Sequence, residues 1–304
     1  MTEGNRLDLL EPLGSPGPAP PPPVKLATFE RQGRVSVGGI LEDRVVDLGG
    51  ICQDLMSLLT SGDAGMEAAR TALASADRTF PMSECTWLPP IPRPGKVVCV
   101  GLNYRSHLAL LDEPAPEYPV LFTKPTTSLV GCGQPIVLPA VSQQVDYEGE
   151  LAVVIGKKGK YIAASEALAY VGGYTCANDV SAHDIEFRTS QWTSGKMLDT
   201  FCPLGPVMVT ADEVPHPDRL GLRTMLNGDI VQDECTSDML FDVATLISYI
   251  SSLATLEPGD VILTGTPAGL GCMREPQLFL RAGDRVEVAI EGIGILTNPV
   301  VREA

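Results

Sequence analysis

From Lys96 to the end of the chain, almost every apolar stretch has the length of a strand: KVVCVGL, PVLFT, IVLP, ELAVVIG, GGYTCAND, VMVT, LRTMLNGDIVQDE, DVILTG and DRVEVAIEGIGIL. Helical patterns are fewer in this region, chiefly residues 164–170 and 243–253. A doubly wound sheet needs a long crossover helix between successive strands, so that architecture is excluded. The pattern predicts an α+β chain, mostly β, with a few peripheral helices. Asn227-Gly228, between two apolar runs, predicts a two-residue hairpin because both turn positions tolerate positive φ.

The N-terminal third divides by composition. Residues 12–23 (PLGSPGPAPPPP) offer no apolar face to bury and favour solvated polyproline II, so residues 1–24 are assigned to a tail or linker. Residues 25–90 read as a small α+β module: KLATF, RVSVGGI and RVVDL have β character, and residues 54–59 and 66–76 have helical patterns, the second rich in Ala. LPPIPRPG (88–95) then breaks any regular element, since its prolines lack a backbone donor and fix φ, and residues 91–304 form the main domain.

Composition narrows the function classes. Lys plus Arg total 22 against 38 Asp plus Glu, so 22 − 38 = −16, and polyanions such as nucleic acid are poor partners. No apolar run approaches the ~18–20 residues of a membrane-spanning helix. The eight cysteines are scattered without a C-x-x-C pair, which points to buried, reduced thiols and a cytoplasmic setting.

The stretch VDYEGELAVVI (145–155) places Asp146, Glu148 and Glu150 at i, i+2 and i+4. Period-two geometry sets all three on one face, neighbours about 7 Å apart along a strand. Two readings fit. Either the strand is half exposed and its acids face water, or Glu148 and Glu150 are drawn inside by the apolar run that follows, where like charges require a cation. Asp179, which ends the apolar segment GGYTCAND, favours the second, because a strand end can deliver a carboxylate to a neighbouring strand. Two Glu and one Asp form an all-oxygen set suited to Mg²⁺ or Mn²⁺. Three carboxylates over-neutralise such an ion, so basic groups are expected nearby to receive an anionic substrate.

Taken together, KVVCVGLNYRSH (96–107), FTKP and the GxxxxIxLP piece (122–139), VDYEGELAVVIGKKGK (145–160), GYTCANDVSAHD (173–184), GKMLDTFCPLGP (195–206), LNGDIVQ (226–232) and PGDVILTGTPAGLG (258–271) resemble the fumarylacetoacetate hydrolase superfamily, most of all its domain-containing-protein-2 branch. The resemblance implies a catalytic domain that is a mixed β-roll or sandwich, usually a homodimer, with Glu148, Glu150 and Asp179 as ligands of Mg²⁺ or Mn²⁺. It implies a small-molecule oxo-acid substrate whose carboxylate and 2-oxo oxygens are held by the cation while an enolate forms. Lys196 matches the site lysine, Tyr104 and Lys124 match pocket positions, and Thr264, Gly265 and Thr266 form a turn able to aim backbone N–H groups at an oxyanion.

Three departures bear on mechanism. Family hydrolases pair a lid His with a Glu three residues on; His107 is kept, but position 110 is Leu. Asp112 and Glu113 lie nearby, but helical geometry aims them elsewhere. The family's Ser-Ala-Arg-Asp reads Ser181-Ala182-His183-Asp184, and a Gln two residues beyond is Glu186, so the pocket is less positive than usual. His183 is either a replacement base or a hydrogen-bonding residue behind the site; His216, between prolines, reads as a loop residue. C–C hydrolysis of an acylpyruvate- or fumarylacetoacetate-type acid ranks first, with oxaloacetate tautomerisation or decarboxylation close behind, His107 and Lys196 being the expected catalytic residues. A degenerate metal- and oxo-acid-binding protein is the reading from another class.

Overall fold

The computed structural model describes residues 24–111 and 114–303. The N-terminal strands Lys25–Arg31, Arg34–Leu41, Arg44–Asp47 and Thr79–Pro81 form an antiparallel meander. Against it lie helices Leu55–Thr60 and Gly62–Ser75. The first of these is set by a capping box, in which Asp54 accepts from the Ser57 backbone N–H at 2.6 Å while Ser57 Oγ accepts from the Asp54 N–H at 3.1 Å. The meander is the edge of a larger sheet, because Lys25 and Leu26 pair with Val209 and Met208. Leu26, Leu55, Leu58, Ile91, Val154 and Met208 accordingly share one apolar cluster across the Pro-rich joint. Val24, which composition alone assigns to the tail, is buried in that cluster, and its carbonyl accepts the Thr210 N–H. The rest of the expected tail lies outside the described residues.

Beyond the meander the large sheet continues in the order Cys202–Thr210, Val171–Asn178, Gly149–Ile155, Val261–Leu263, Val97–Gly101 and Val120–Lys124. A second sheet runs Asp229–Cys235, Gly221–Leu226, Arg285–Ile290, Gly294–Arg302 and Ile136–Leu138. The two sheets share a core in which Leu151, Val153 and Cys176 meet Leu222, Val288, Ile290 and Leu296. The chain is thus mostly β with open sheets, as the strand-length apolar runs require. Gly149–Ile155 is buried at every position, which explains why ELAVVI is apolar without alternation: both faces are covered.

Helix Val243–Leu253 starts at Asp242, whose carboxylate accepts the Thr245 N–H at 2.8 Å, and turns Leu246, Ile247 and Ile250 into the core. Residues Ala164–Tyr170, expected as an α-helix, wind instead as a 3₁₀-helix. The hairpin forms as expected: Leu226 pairs with Asp229, and Asn227 and Gly228 have φ of 56° and 93°. No helix among the described residues is long and apolar enough to cross a membrane.

Candidate active site

The acidic trio is assembled by one antiparallel pairing. Gly149 and Glu150 lie opposite Asn178 and Ala177. Just past the ladder, the Glu148 N–H donates to Asn178 Oδ1 at 2.9 Å and the Asp179 N–H donates to the Glu148 carbonyl at 2.8 Å. Glu148, Glu150 and Asp179 each bring a carboxylate oxygen within 4.8 Å of the others, and all three are buried. Water-facing acids are thereby excluded.

Asp146 departs from the period-two expectation. Strand Val145–Asp146 pairs with Ser181–Ala182, and regular pairing resumes only at Gly149, so the chain breaks step at Tyr147 and Glu148. Asp146 is redirected from the trio's face to a separate cluster. Its Oδ1 accepts the Tyr147 and Gly271 N–H groups at 2.8 and 3.0 Å, and its Oδ2 accepts the Cys272 N–H at 2.8 Å and faces His183 Nε2 at 3.1 Å.

Two buried lysines cross the trio. Lys196, at the end of the short helix Thr193–Lys196, lies 2.7 Å from Glu148 Oε1 and 3.2 Å from Asp179 Oδ2. Lys124, which ends strand Val120–Lys124, donates to Asp179 Oδ1 and to the Val180 carbonyl. Burial raises the Asp179 pKa, but Lys124 and Lys196 outweigh it and hold this carboxyl below its ordinary value. Burial pushes Glu148 up to about 7, with Lys196 pulling down and Asp179 pushing up. Burial, then the charges of Asp179 and Glu148, drive Glu150 well above the usual range. Burial alone would lower Lys196, yet Asp179, Glu148 and Glu186 keep it raised and charged.

A cavity of about 530 Å³ opens onto this cluster. Glu148, Asp179, Lys196, His107, His183, Glu186 and Thr266 line it, with an apolar wall including Val100, Phe122, Phe187, Trp192 and Met273. The other anticipated pocket residues lie behind that wall. Tyr104 is fully buried, its hydroxyl has no hydrogen-bond partner among the described residues, and burial with the Glu150 charge raises its pKa. Lys124 braces Asp179. Gly265 donates its N–H to Glu150 Oε2 at 2.6 Å, and Thr264 Oγ donates to the Leu151 carbonyl at 2.9 Å. Thr266 Oγ donates to the Gly149 carbonyl at 3.0 Å and accepts from Gln232 Nε2 at 2.8 Å. The 264–266 turn therefore orients the carboxylates. Position 265 needs glycine, because φ is +99° and a Cβ would approach Asn103 Cβ to 2.8 Å.

His107 sits on helix Arg105–Leu111, buried enough that its imidazole is held below its ordinary pKa, and its Nδ1 has no partner among the described residues. Leu110 is 57% exposed, so the lid pair is absent here; Asp112 and Glu113 lie outside the described residues. The i, i+3 pair occurs elsewhere. In the single turn His183–Glu186, His183 Nδ1 lies 2.9 Å from Glu186 Oε2. Burial opposes charging of His183, but Asp146, Cys272 and Glu186 push its pKa up to about 12. A ring between two carboxylates can donate from both nitrogens only as imidazolium. Phe187 stacks on it at 5.5 Å and 7°. Sequence reasoning weighed His183 and Glu186 separately; their three-residue spacing on a turn was the available signal of a pair.

The fold and the site together define a β-rich chain with a carboxylate-lined cavity of small-molecule size. Residues 96–301 match the family described as fumarylacetoacetate (FAA) hydrolase C-terminal, and the chain belongs to that family. A human protein named oxaloacetate tautomerase FAHD2A, mitochondrial, is 48% identical over 249 residues, covering 81% of this chain and 79% of its own. A fumarylacetoacetate hydrolase from psychrophilic Exiguobacterium antarcticum superposes with a TM-score of 0.81 at 37% identity, covering 92% of this chain and 100% of its own. The maleylpyruvate hydrolase from Sphingobium sp. SYK-6, in complex with manganese(II) ion and pyruvate, gives a TM-score of 0.78 at 29% identity, covering 92% of this chain and 100% of its own.

Proposed function

We propose that this chain is a divalent-cation-dependent enzyme that interconverts keto and enol forms of a 2-oxo acid, with oxaloacetate as the first substrate to test. The observation that carries the reading is the convergence of Glu148, Glu150 and Asp179 in one buried cluster beside Lys196, with Glu148 and Asp179 lining the cavity. The donor set fits a hard cation: it is all oxygen, it is buried, and two of its carboxyls are pushed above their ordinary values by burial and mutual repulsion, which a cation relieves. When bound, Mg²⁺ or Mn²⁺ supplies a Lewis acid for the carboxylate and 2-oxo oxygens. Lys196 supplies a fixed positive charge as enolate character develops. Phe122, Trp192 and Met273 restrict water.

Tautomerisation is placed ahead of C–C hydrolysis for two reasons. Hydrolysis needs a base to activate water, and His107 lacks the carboxylate partner that would orient it. The relative at 48% identity is named an oxaloacetate tautomerase. The reading includes a homodimer, as the resemblance implies, and a reducing compartment, in keeping with eight free cysteines; the human relative is named mitochondrial. The test follows enol absorbance of oxaloacetate and of an acylpyruvate with chelator-stripped protein, with and without Mg²⁺ or Mn²⁺. Cation-dependent loss of enol signal without cleavage, abolished in Glu148→Gln, is the expected result. Cleavage products would move the assignment to hydrolysis, and a cation-dependent rise in thermal stability without turnover would favour the binding protein.

A further inference from the structure

The cavity contains one carboxylate that the cation site does not use. Glu186 is 5% exposed and lines the cavity beside Glu148 and Lys196. Its Oε2 is tied to His183 Nδ1 at 2.9 Å; its Oε1 lies 4.0 Å from Lys196 Nζ and receives no hydrogen bond among the described residues. Behind it, His183 Nε2 meets Asp146 Oδ2, and the backbone N–H groups of Tyr147, Gly271 and Cys272 donate to the Asp146 carboxylate. The stack on Phe187 fixes the ring plane. The result is a row, Asp146 to His183 to Glu186, whose inner end is anchored in backbone and whose outer end is a carboxylate oxygen open to the cavity.

We infer that Glu186 is the group that carries the substrate proton, and that His183 and Asp146 are positioning residues that aim it. The inference rests on the oxo-acid reading above and supplies the base that His107 and Leu110 do not form. In the forward step the C3–H bond of the 2-oxo acid breaks and Glu186 takes the proton. The C–H electron pair becomes the C2–C3 double bond, and the carbonyl π pair moves onto the C2 oxygen, with Lys196 as the nearby ammonium. Returning the proton from Glu186 to that oxygen gives the enol; returning it to C3 regenerates the keto acid. No co-reactant is consumed. His183 keeps both its protons throughout and fixes which Glu186 oxygen faces substrate.

The probe is oxaloacetate in deuterated buffer with Mn²⁺ or Mg²⁺, read as C3 hydrogen exchange by NMR and as enol-to-keto decay by absorbance. Glu186→Gln keeps shape and can still accept from His183, so it should fold. It is expected to lower kcat for exchange by about 100-fold or more, with KM changed less than about threefold and cation-induced thermal stabilisation unchanged. His183→Asn should lower kcat less, by about 10-fold, and Glu186→Asp should recover part of the rate if carboxylate chemistry is what matters. Exchange that survives Glu186→Gln at the wild-type rate, while Glu148→Gln abolishes it, overturns this inference and leaves the functional reading intact. If wild type exchanges no C3 hydrogen with either ion, both fall.

Discussion

Binding of the cation should release a proton near neutral pH. Glu148 is raised to about 7 by burial, against the pull of Lys196, and a carboxyl must be ionised to ligate. Proton and ion therefore compete for the same oxygens. At pH 5.5, about 1.5 units below that value, the ion must displace a proton at a cost of about 2 kcal/mol, which weakens binding roughly 30-fold relative to pH 8.5. Glu150 is also raised, so the dependence should be at least this steep. The sign for folding runs the other way. Because the folded-state value of Glu148 lies above its ordinary one, its contribution to the cation-free fold is fully present below about 4.5 and is lost as pH rises through about 7. The stabilisation given by Mn²⁺ or Mg²⁺ should therefore grow with pH across that window. Calorimetric titration of stripped protein at pH 5.5, 7.0 and 8.5, in buffers of different ionisation enthalpy, measures affinity and proton release together. Equal affinities at pH 5.5 and 8.5, with no proton release at pH 5.5 or 7.0, would refute the argument that buried, mutually repelling carboxyls form the ion site.

Lys124→Met leaves Asp179 with Lys196 as its remaining ammonium partner; breaking this buried pair should cost about 3–5 kcal/mol in chemical denaturation, and a near-neutral result would show that Lys124 does not brace the site. Leu110→Glu supplies the i+3 carboxylate to His107; acylpyruvate hydrolysis should rise by about 10-fold or more, and an unchanged rate would show that the missing pair is not what limits hydrolysis.

Much of the architecture is legible in local pattern, for a stated reason in each case. GELAVVI must be a strand covered on both faces, since its seven consecutive positions are all buried. Asn227-Gly228 must be a turn because positive φ is cheap there. Glu148 and Glu150 could be paired with Asp179 because an acid at the end of a strand can reach only a neighbour's end. Composition misplaced Val24, whose burial depends on Met208 and Val154, residues far along the chain. Helical pattern also missed the 3₁₀ winding of Ala164–Tyr170, since periodicity fixes an apolar face more firmly than the hydrogen-bond register behind it.

Residue types and spacing were thus enough to determine a β-rich chain, its family and an oxygen-rich centre, because each of those is written in short-range pattern or in residue chemistry. What each acid does was decided only by the folded chain. The step lost at Tyr147 sends Asp146 to His183 and leaves Glu148 to the trio; Lys124 braces Asp179 and Gly265 braces Glu150; and His183 joins Glu186 across one turn. The physical reason is that a carboxylate's charge state and reach depend on what is buried against it, and those neighbours come from strands far apart in sequence.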